Sequence, residues 1–191
     1  MDAIVIGAGQ AGLAMGYYLA QRSKNFVILD GAPEVGQAWR SRWDSLVLFT
    51  PSQFDGLPGL PFPAASDTYP TKDEVADYLG IYAKTFELPV TTNNPVLSVS
   101  RSPAGYFVET PSDTHEASVV VVATGPFQQP VIPSVSADLD PTVHQVHSAD
   151  YRNPEMLPGP RVLVVGGGNS GCQIAEDLAP TRRVELAIGQ E

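Results

Sequence analysis

AIVIGAGQAGLAMG, residues 3–16, decides the fold. Ile4, Val5 and Ile6 form a short apolar run of the kind that makes a buried strand, and it passes directly into Gly7-x-Gly9-x-x-Gly12 with a further small residue at Gly16. In such a turn the first glycine supplies the tight bend, here Gly7. Gly9 lets a diphosphate approach the main chain, and Gly12 lets the next helix lie close on the strand. The spacing predicts a helix from about Gln10 to Ala20, so the first-turn amides of Gln10, Ala11 and Gly12 and the helix dipole point at an anion. A second apolar run, Phe26 to Leu29, ends in Asp30, a carboxylate placed to accept hydrogen bonds from both hydroxyls of an adenosine ribose. Strand, glycines, helix, strand and acid in this order predict a dinucleotide site.

The same arrangement returns 159 residues later. Val162 to Val165 repeats the strand and Gly166-x-Gly168-x-x-Gly171 repeats the turn, with Asn169, Ser170 and Gly171 opening a second helix and Ala175 in the place of Gly16. Counted without a gap, Gly189 takes the position of Asp30, so the second copy lacks the acid. A carboxylate there would repel a ribose 2′-phosphate, and its loss favours NADP over NAD. Arg182 and Arg183 precede that second strand and Gln190 follows Gly189, which leaves the base that would meet the phosphate unassigned. Two cradles on one chain point to two dinucleotides, and FAD with a nicotinamide nucleotide is the common pairing.

Composition narrows the function classes. The 191 residues, 43% of them hydrophobic, suffice for a packed core. A net charge of −10, from 21 acidic and 11 basic residues, disfavours nucleic acid and anionic membrane surfaces as partners. No apolar run is long enough to cross a bilayer and Met1-Asp2 leads straight into the first strand, so the expectation is a cytoplasmic protein. One cysteine, Cys172, cannot form an internal disulfide or a dithiol redox pair, and its expected role is packing against the strand. The three histidines have no acidic or cysteine neighbours at ligand spacing, so no metal site is expected.

Between the cradles, Thr71-x-x-Glu74 is a capping box followed by Val75, Tyr78, Leu79, Tyr82 and Phe86 at helical spacing, which predicts an amphipathic helix over 73–86. Residues 96–100, 106–110 and 116–123 read as the three strands of a meander added to the sheet. The last contains Val119 to Val122, apolar throughout and expected to be central, and delivers Ala123-Thr124-Gly125 to the carboxyl edge of the sheet, where open α/β sheets bind ligands.

The chain resembles the flavin-containing monooxygenases, in particular the bacterial type similar to the plant YUCCA enzymes. GAGQAGLA, GQAWRSRWDSLVLFTP, LPGLPFP, YPTKDEVADYL, VVVATG, HSADY and VVGGGNSG carry the resemblance across nearly the whole sequence. It implies a Rossmann-like FAD-binding domain over 1–128, with a parallel sheet, helices and a three-stranded meander. A proline-rich connector over 129–160 and the first βαβ unit of an NADP-binding domain over 161–191 follow. Gly31, Gly36, Gln37, Trp39 and Arg40 would lie along the flavin, Ala123, Thr124 and Gly125 would link the two domains, and Trp43 is expected to anchor its loop in the core. Thr50-Pro51 stands near the position at which many members carry an active-site asparagine, which is absent here.

HSADY resembles the ending of the family's HxxxY signature, although Pro141 and Val143 stand where an aromatic residue and a glycine belong. That implies a direct role for His147 in the nicotinamide cycle, beside the plainer one of a satisfied structural histidine. The activity implied is an NADPH-dependent monooxygenase that inserts one atom of O2 into a small-molecule substrate through a C4a-(hydro)peroxyflavin. Family members are about twice as long. The alternative reading is therefore a catalytically incomplete FAD- and NADP-binding module, completed by homodimerisation or a partner chain.

Overall fold

The computed structural model describes residues 1–189, and their main chain clusters into two units. The first comprises Met1–Ser41 and Val47–Gln128, and the second Arg42–Leu46 and everything from Gln129 onward.

In the first unit β1 (Ala3–Ile6) is buried at every residue and pairs in parallel with β2 (Phe26–Leu29) on one side and β7 (Val119–Val122) on the other. β3 (Val90–Thr91) adds to β2, giving the order β3-β2-β1-β7. Helix α1 (Gln10–Gln21) turns Gly12, Leu13 and Gly16 inward. It lies so close to β2 that a Cβ on Gly16 would stand 2.7 Å from Ile28 Cδ1. After the short helix α2 (Gln37–Arg40) comes α3 (Lys72–Thr85), within a residue of its predicted start and end. Its Val75, Tyr78, Leu79 and Tyr82 are buried in the core, as the spacing requires. Tyr78 Oη donates to Leu60 O at 2.7 Å and accepts from Leu57 N at 2.6 Å, while Tyr82 Oη donates to Pro58 O at 2.7 Å. The two phenols thus fasten loop 57–60 to the helix, and burial pushes Tyr82 up to about 12.

The meander is a separate antiparallel sheet of β4 (Ser98–Ser102), β5 (Gly105–Glu109) and β6 (Thr114–Ala117). The expected third strand over 116–123 is in fact two strands. At Ser118 the backbone leaves β5 for the N-terminal strand: Ser118 N donates to Met1 O at 3.2 Å and Val119 N to Asp2 O at 3.1 Å. Nor is the four-valine run central. It ends the described sheet, with Val119 and Val122 exposed, because β1 and β2 hold the interior positions.

The second unit pairs β8 (Arg161–Val165) in parallel with β9 (Arg183–Ala187) and packs Ile174 and Leu178 of α4 (Asn169–Leu178) inward. The segment expected to be a plain connector contains two single 3-10 turns, Ser134–Asp138 and Pro154–Met156. Asp44 N donates to Arg152 O at 2.7 Å and Asn153 Nδ2 to Asp44 Oδ2 at 2.7 Å, which binds residues 42–46 to this unit. Trp43 is buried, as expected of an anchor. Tyr151, also buried, donates to Asp177 Oδ2 at 2.6 Å, and burial together with that carboxylate raises its phenol well above the usual range.

Candidate functional site: two glycine turns

Each glycine turn follows a parallel strand and opens a helix. Gly7 sits at φ +105° and Gly166 at φ +109°, backbone that L side chains rarely adopt. Gly7 N donates to Leu29 O and Gly166 N to Ala187 O, both at 2.8 Å. A Cβ on Gly12 would run into Gly7 O, and one on Gly171 into Gly166 O, so the third glycine of each motif serves the close helix approach. Around Gly9 and Gly168 a Cβ would meet nothing within 4 Å, and this open side is where a diphosphate could reach the main chain.

The helix starts differ from that of α3. Thr71 caps α3 through its side chain, and Glu74 Oε2 accepts from Thr71 N at 2.8 Å, so these donors are already satisfied. α1 and α4 begin at Gly9 and Gly168 with no side-chain cap. Their ladders start at Leu13 N to Gly9 O (2.9 Å) and Cys172 N to Gly168 O (3.0 Å). The amides of Gln10, Ala11 and Gly12, and of Asn169, Ser170 and Gly171, are left without partners inside the helix. A bare, uncapped helix start beside an open glycine suits an anionic ligand.

At the end of the second strand the turns part. Asp30 Oδ2 accepts from Ala8 N at 2.6 Å and Oδ1 from Ala32 N at 2.8 Å, so the carboxylate fastens the first turn to the end of β2. Two oxygens offer about four lone-pair directions, which leaves capacity for two sugar hydroxyls. In the second unit the gap-free count is wrong by one. Ala3 pairs with Phe26, whereas Val162, its counterpart, pairs with Val184, because the stretch from helix to strand is one residue shorter. The residue equivalent to Asp30 is therefore Ile188, not Gly189, which matches Gly31. The Ile188 side chain lies against Gly167, the counterpart of Ala8. The second copy does lack the acid, but an isoleucine stands in its place. Arg182 and Arg183 sit at the amino end of β9, away from this edge; Arg182 Nη2 donates to Pro154 O at 3.0 Å. Gln190 lies outside the described residues.

Of the other candidates in the first unit, Ala123 and Trp39 touch the first turn and its helix, while Gly31, Gly36 and Arg40 are held by other neighbours. Ala123 N donates to Ile6 O at 2.8 Å and its carbonyl stands where a Cβ on Gly7 would be only 2.5 Å away, so β7 delivers its last residues beside the glycines. Gly125 has φ +74°, and Thr124 O accepts from Gln128 Nε2. Gly31 packs on Pro95, and at Gly36, with φ +89°, a Cβ would stand only 2.6 Å from Ala76 O, so a side chain is excluded there on both grounds. Trp39 Nε1 donates to Gln10 Oε1 at 3.2 Å, tying the 36–40 segment to the cradle helix, and Gln37 Nε2 donates to Ser41 Oγ at 3.0 Å. Arg40 meets Glu34 at 3.0 Å and Asp77 at 2.5 Å, a strut between this loop and α3.

His147 Nδ1 accepts from Ala149 N at 3.1 Å, a turn-forming bond of the kind a structural histidine makes. Cys172 is exposed and not packed on the strand as expected: its Sγ lies 3.5 Å from Gly167 O, and the buried residues of α4 are Ile174 and Leu178. Sequence reading missed the amides of Ala8 and Ala32 that Asp30 holds. It also missed Ile188, which only the β8–β9 register reveals. No helix among the described residues is long and apolar enough to cross a membrane, and no group of histidine, cysteine and acidic side chains there could hold a metal.

A family model described as pyridine nucleotide-disulphide oxidoreductase matches residues 4–191. An uncharacterized CzcO-like oxidoreductase of Geobacillus kaustophilus is 49% identical over the whole chain, and indole-3-pyruvate monooxygenase YUCCA4 of Oryza sativa is 33% identical over 92% of it. The chain spans only 55% and 44% of these two proteins. A flavin-containing monooxygenase from Stenotrophomonas maltophilia superposes over the full chain with a TM-score of 0.90 at 34% identity, with 58% of its own length covered.

Proposed function

The chain belongs to the pyridine nucleotide-disulphide oxidoreductase family, and from that premise we propose that it forms the FAD-binding part, and the start of the NADPH-binding part, of a flavin monooxygenase. The observation that carries this reading is the first turn, where an uncapped helix start, an open Gly9 and a carboxylate anchored by two amides converge. The amides of Gln10, Ala11 and Gly12 bind the FAD diphosphate, and Asp30 orients the turn and accepts from the adenosine ribose. Trp39, held to Gln10, and the Ala123–Gly125 turn line the path of the flavin. Bound FAD supplies the electron transfer and the activation of O2, with a small molecule as the oxygen acceptor.

The second turn binds NADPH through the amides of Asn169, Ser170 and Gly171, with Ile188 offering no negative charge to a 2′-phosphate. These roles divide the chain into a flavin domain over 1–128, a connector over 129–160 and a nicotinamide unit beyond it, in a cytoplasmic protein. A dithiol mechanism has no pair to work with in these 191 residues, which hold one cysteine. The deciding measurement is the visible spectrum of the purified chain before and after NADPH under air. A flavin band that NADPH bleaches and air restores supports the proposal, and a chain that gains no band with added FAD overturns it.

A second reading has its own support. In β8, Leu163 and Val165 are 60% and 69% exposed, apolar surface that a complete nucleotide-binding domain would bury. On this reading the chain binds FAD but needs a second copy or a partner chain for turnover. NADPH oxidation by a chain that stays monomeric in light scattering rules it out.

A further inference from the structure

β3 ends at Thr91, so its pairing with β2 stops at Leu29, one residue short of Asp30. The loop that follows takes over. Asp30 N donates to Thr91 O at 2.9 Å, Asn94 N to Asp30 O at 2.9 Å and Asn93 N to Ala32 O at 2.8 Å. Between these bonds Pro95 lies against Gly31, where a Cβ would stand 3.2 Å from the Pro95 Cβ. Asn93 sits at φ +53°, a left-handed conformation that asparagine tolerates better than most side chains, so the loop can bend this tightly. Residues 91–95 thus hold the main chain of Asp30, Gly31 and Ala32, the segment that carries the carboxylate and one of the two amides it accepts from.

Asn94 is only 7% exposed, one of four buried polar or charged residues among those described. A buried amide side chain needs a partner, and Asn94 finds one in the other sheet. Ser112 Oγ, at the tip of the β5–β6 hairpin, donates to Asn94 Oδ1 at 3.1 Å. The tip is closed by Thr110, whose N and Oγ1 donate to Asp113 O at 2.9 and 3.0 Å, while Asp113 N donates back to Thr110 Oγ1 at 3.1 Å. The meander therefore reaches the end of β2 through the Asn94 side chain.

We propose that Asn94 is a positioning residue for the FAD site: held by Ser112, it fixes loop 93–95 against Asp30–Ala32 and so keeps the Asp30 carboxylate in the orientation that meets the adenosine ribose. Its effect on the nucleotide is indirect, through Asp30. This role rests on the flavin reading given above, and the test separates the two.

In Asn94→Ala the Kd for FAD, read by flavin fluorescence, is expected to rise about tenfold, and in Ser112→Ala about threefold, the range of one lost hydrogen bond. Ser112 is exposed, so its variant preserves the test if Asn94→Ala does not fold. The double variant should bind no more weakly than Asn94→Ala, because both changes break the same bond. Without FAD, amide hydrogen exchange at Ala32 should quicken in both variants while that at Val5, in the buried β1, stays unchanged, which distinguishes a loosened Asp30 segment from a chain destabilised as a whole. Exchange at Ala32 that does not move, exchange that quickens equally at Ala32 and Val5, or an FAD affinity that neither substitution changes overturns the proposal. Those outcomes leave FAD binding intact. An unsubstituted chain that binds no FAD overturns the flavin reading, and this role with it.

Discussion

The turns at Gly7 and Gly166 differ by only 4° in φ, and their third glycines make the same close approach, yet their surroundings have little in common. The first lies in a four-stranded parallel sheet whose β1 is buried throughout, and it is latched by Asp30 to the amides of Ala8 and Ala32. The second rests on two strands, with an isoleucine side chain where the latch would be. Glycine spacing therefore sets the local path of the main chain, while the residue at the end of the second strand and the depth of the sheet set what the cradle can hold and how rigidly. Substitutions made in pairs, one in each turn, separate these contributions.

The largest difference is expected from the third glycine. In Gly12→Ala the new methyl meets Gly7 O, a backbone atom that cannot move without displacing β1 or α1. Overpacking of this kind costs about 1–3 kcal/mol, and because the distortion falls on the amides proposed to bind the diphosphate, FAD affinity should fall by up to ~100-fold. Gly171→Ala meets the same clash in the other turn and should leave FAD affinity unchanged. Flavin fluorescence titration of both variants decides it. An equal loss in both would mean that the turns do not hold separate ligands.

The latch comes next. Asp30→Ala leaves the Ala8 and Ala32 amides without their acceptor, at a cost of about 1–3 kcal/mol, seen as a lower Tm together with weaker FAD binding. The converse change, Ile188→Asp, puts a carboxylate beside Gly167 and, by repulsion, should weaken NADPH relative to NADH by about tenfold. Titration with both reduced nucleotides reads this ratio. A ratio that does not move would remove Ile188 from the nucleotide site.

What the sequence made legible was local. The glycine turn, Asp30 and the Thr71–Glu74 box depend on residues within a few positions of one another, and their geometry followed from spacing. The break at Ser118 was hidden because Met1, far away in sequence, takes its amide and so draws the following valines into another sheet. The one-residue shortening before β9 was hidden because either alignment of the apolar run looks acceptable, and only the pairing of Val162 with Val184 chooses between them. Arg40 could be assigned to a flavin on resemblance alone, whereas its ion pairs to Glu34 and Asp77 depend on how α3 packs.

The smallest effect sharpens the same comparison from outside the cradles. α3 differs from α1 and α4 in carrying its own cap, so Thr71→Ala should cost about 1 kcal/mol of stability with no change in FAD affinity. Hydrogen bonds from the Thr71 amide and hydroxyl hold the Glu74 carboxyl below its ordinary value of 4.5. A folded-state value lower than the unfolded one stabilises the protein above about pH 4.5, and this contribution is lost as pH falls through the depressed value. Glu74 is exposed, so solvent keeps the contribution well under about 1 kcal/mol. The Tm gap between the unsubstituted chain and Glu74→Gln should accordingly be small at neutral pH and close on acidification. A gap that widens toward acid would show that the carboxylate is not what closes the α3 start, and with it would go the contrast between a capped helix and the two without a side-chain cap.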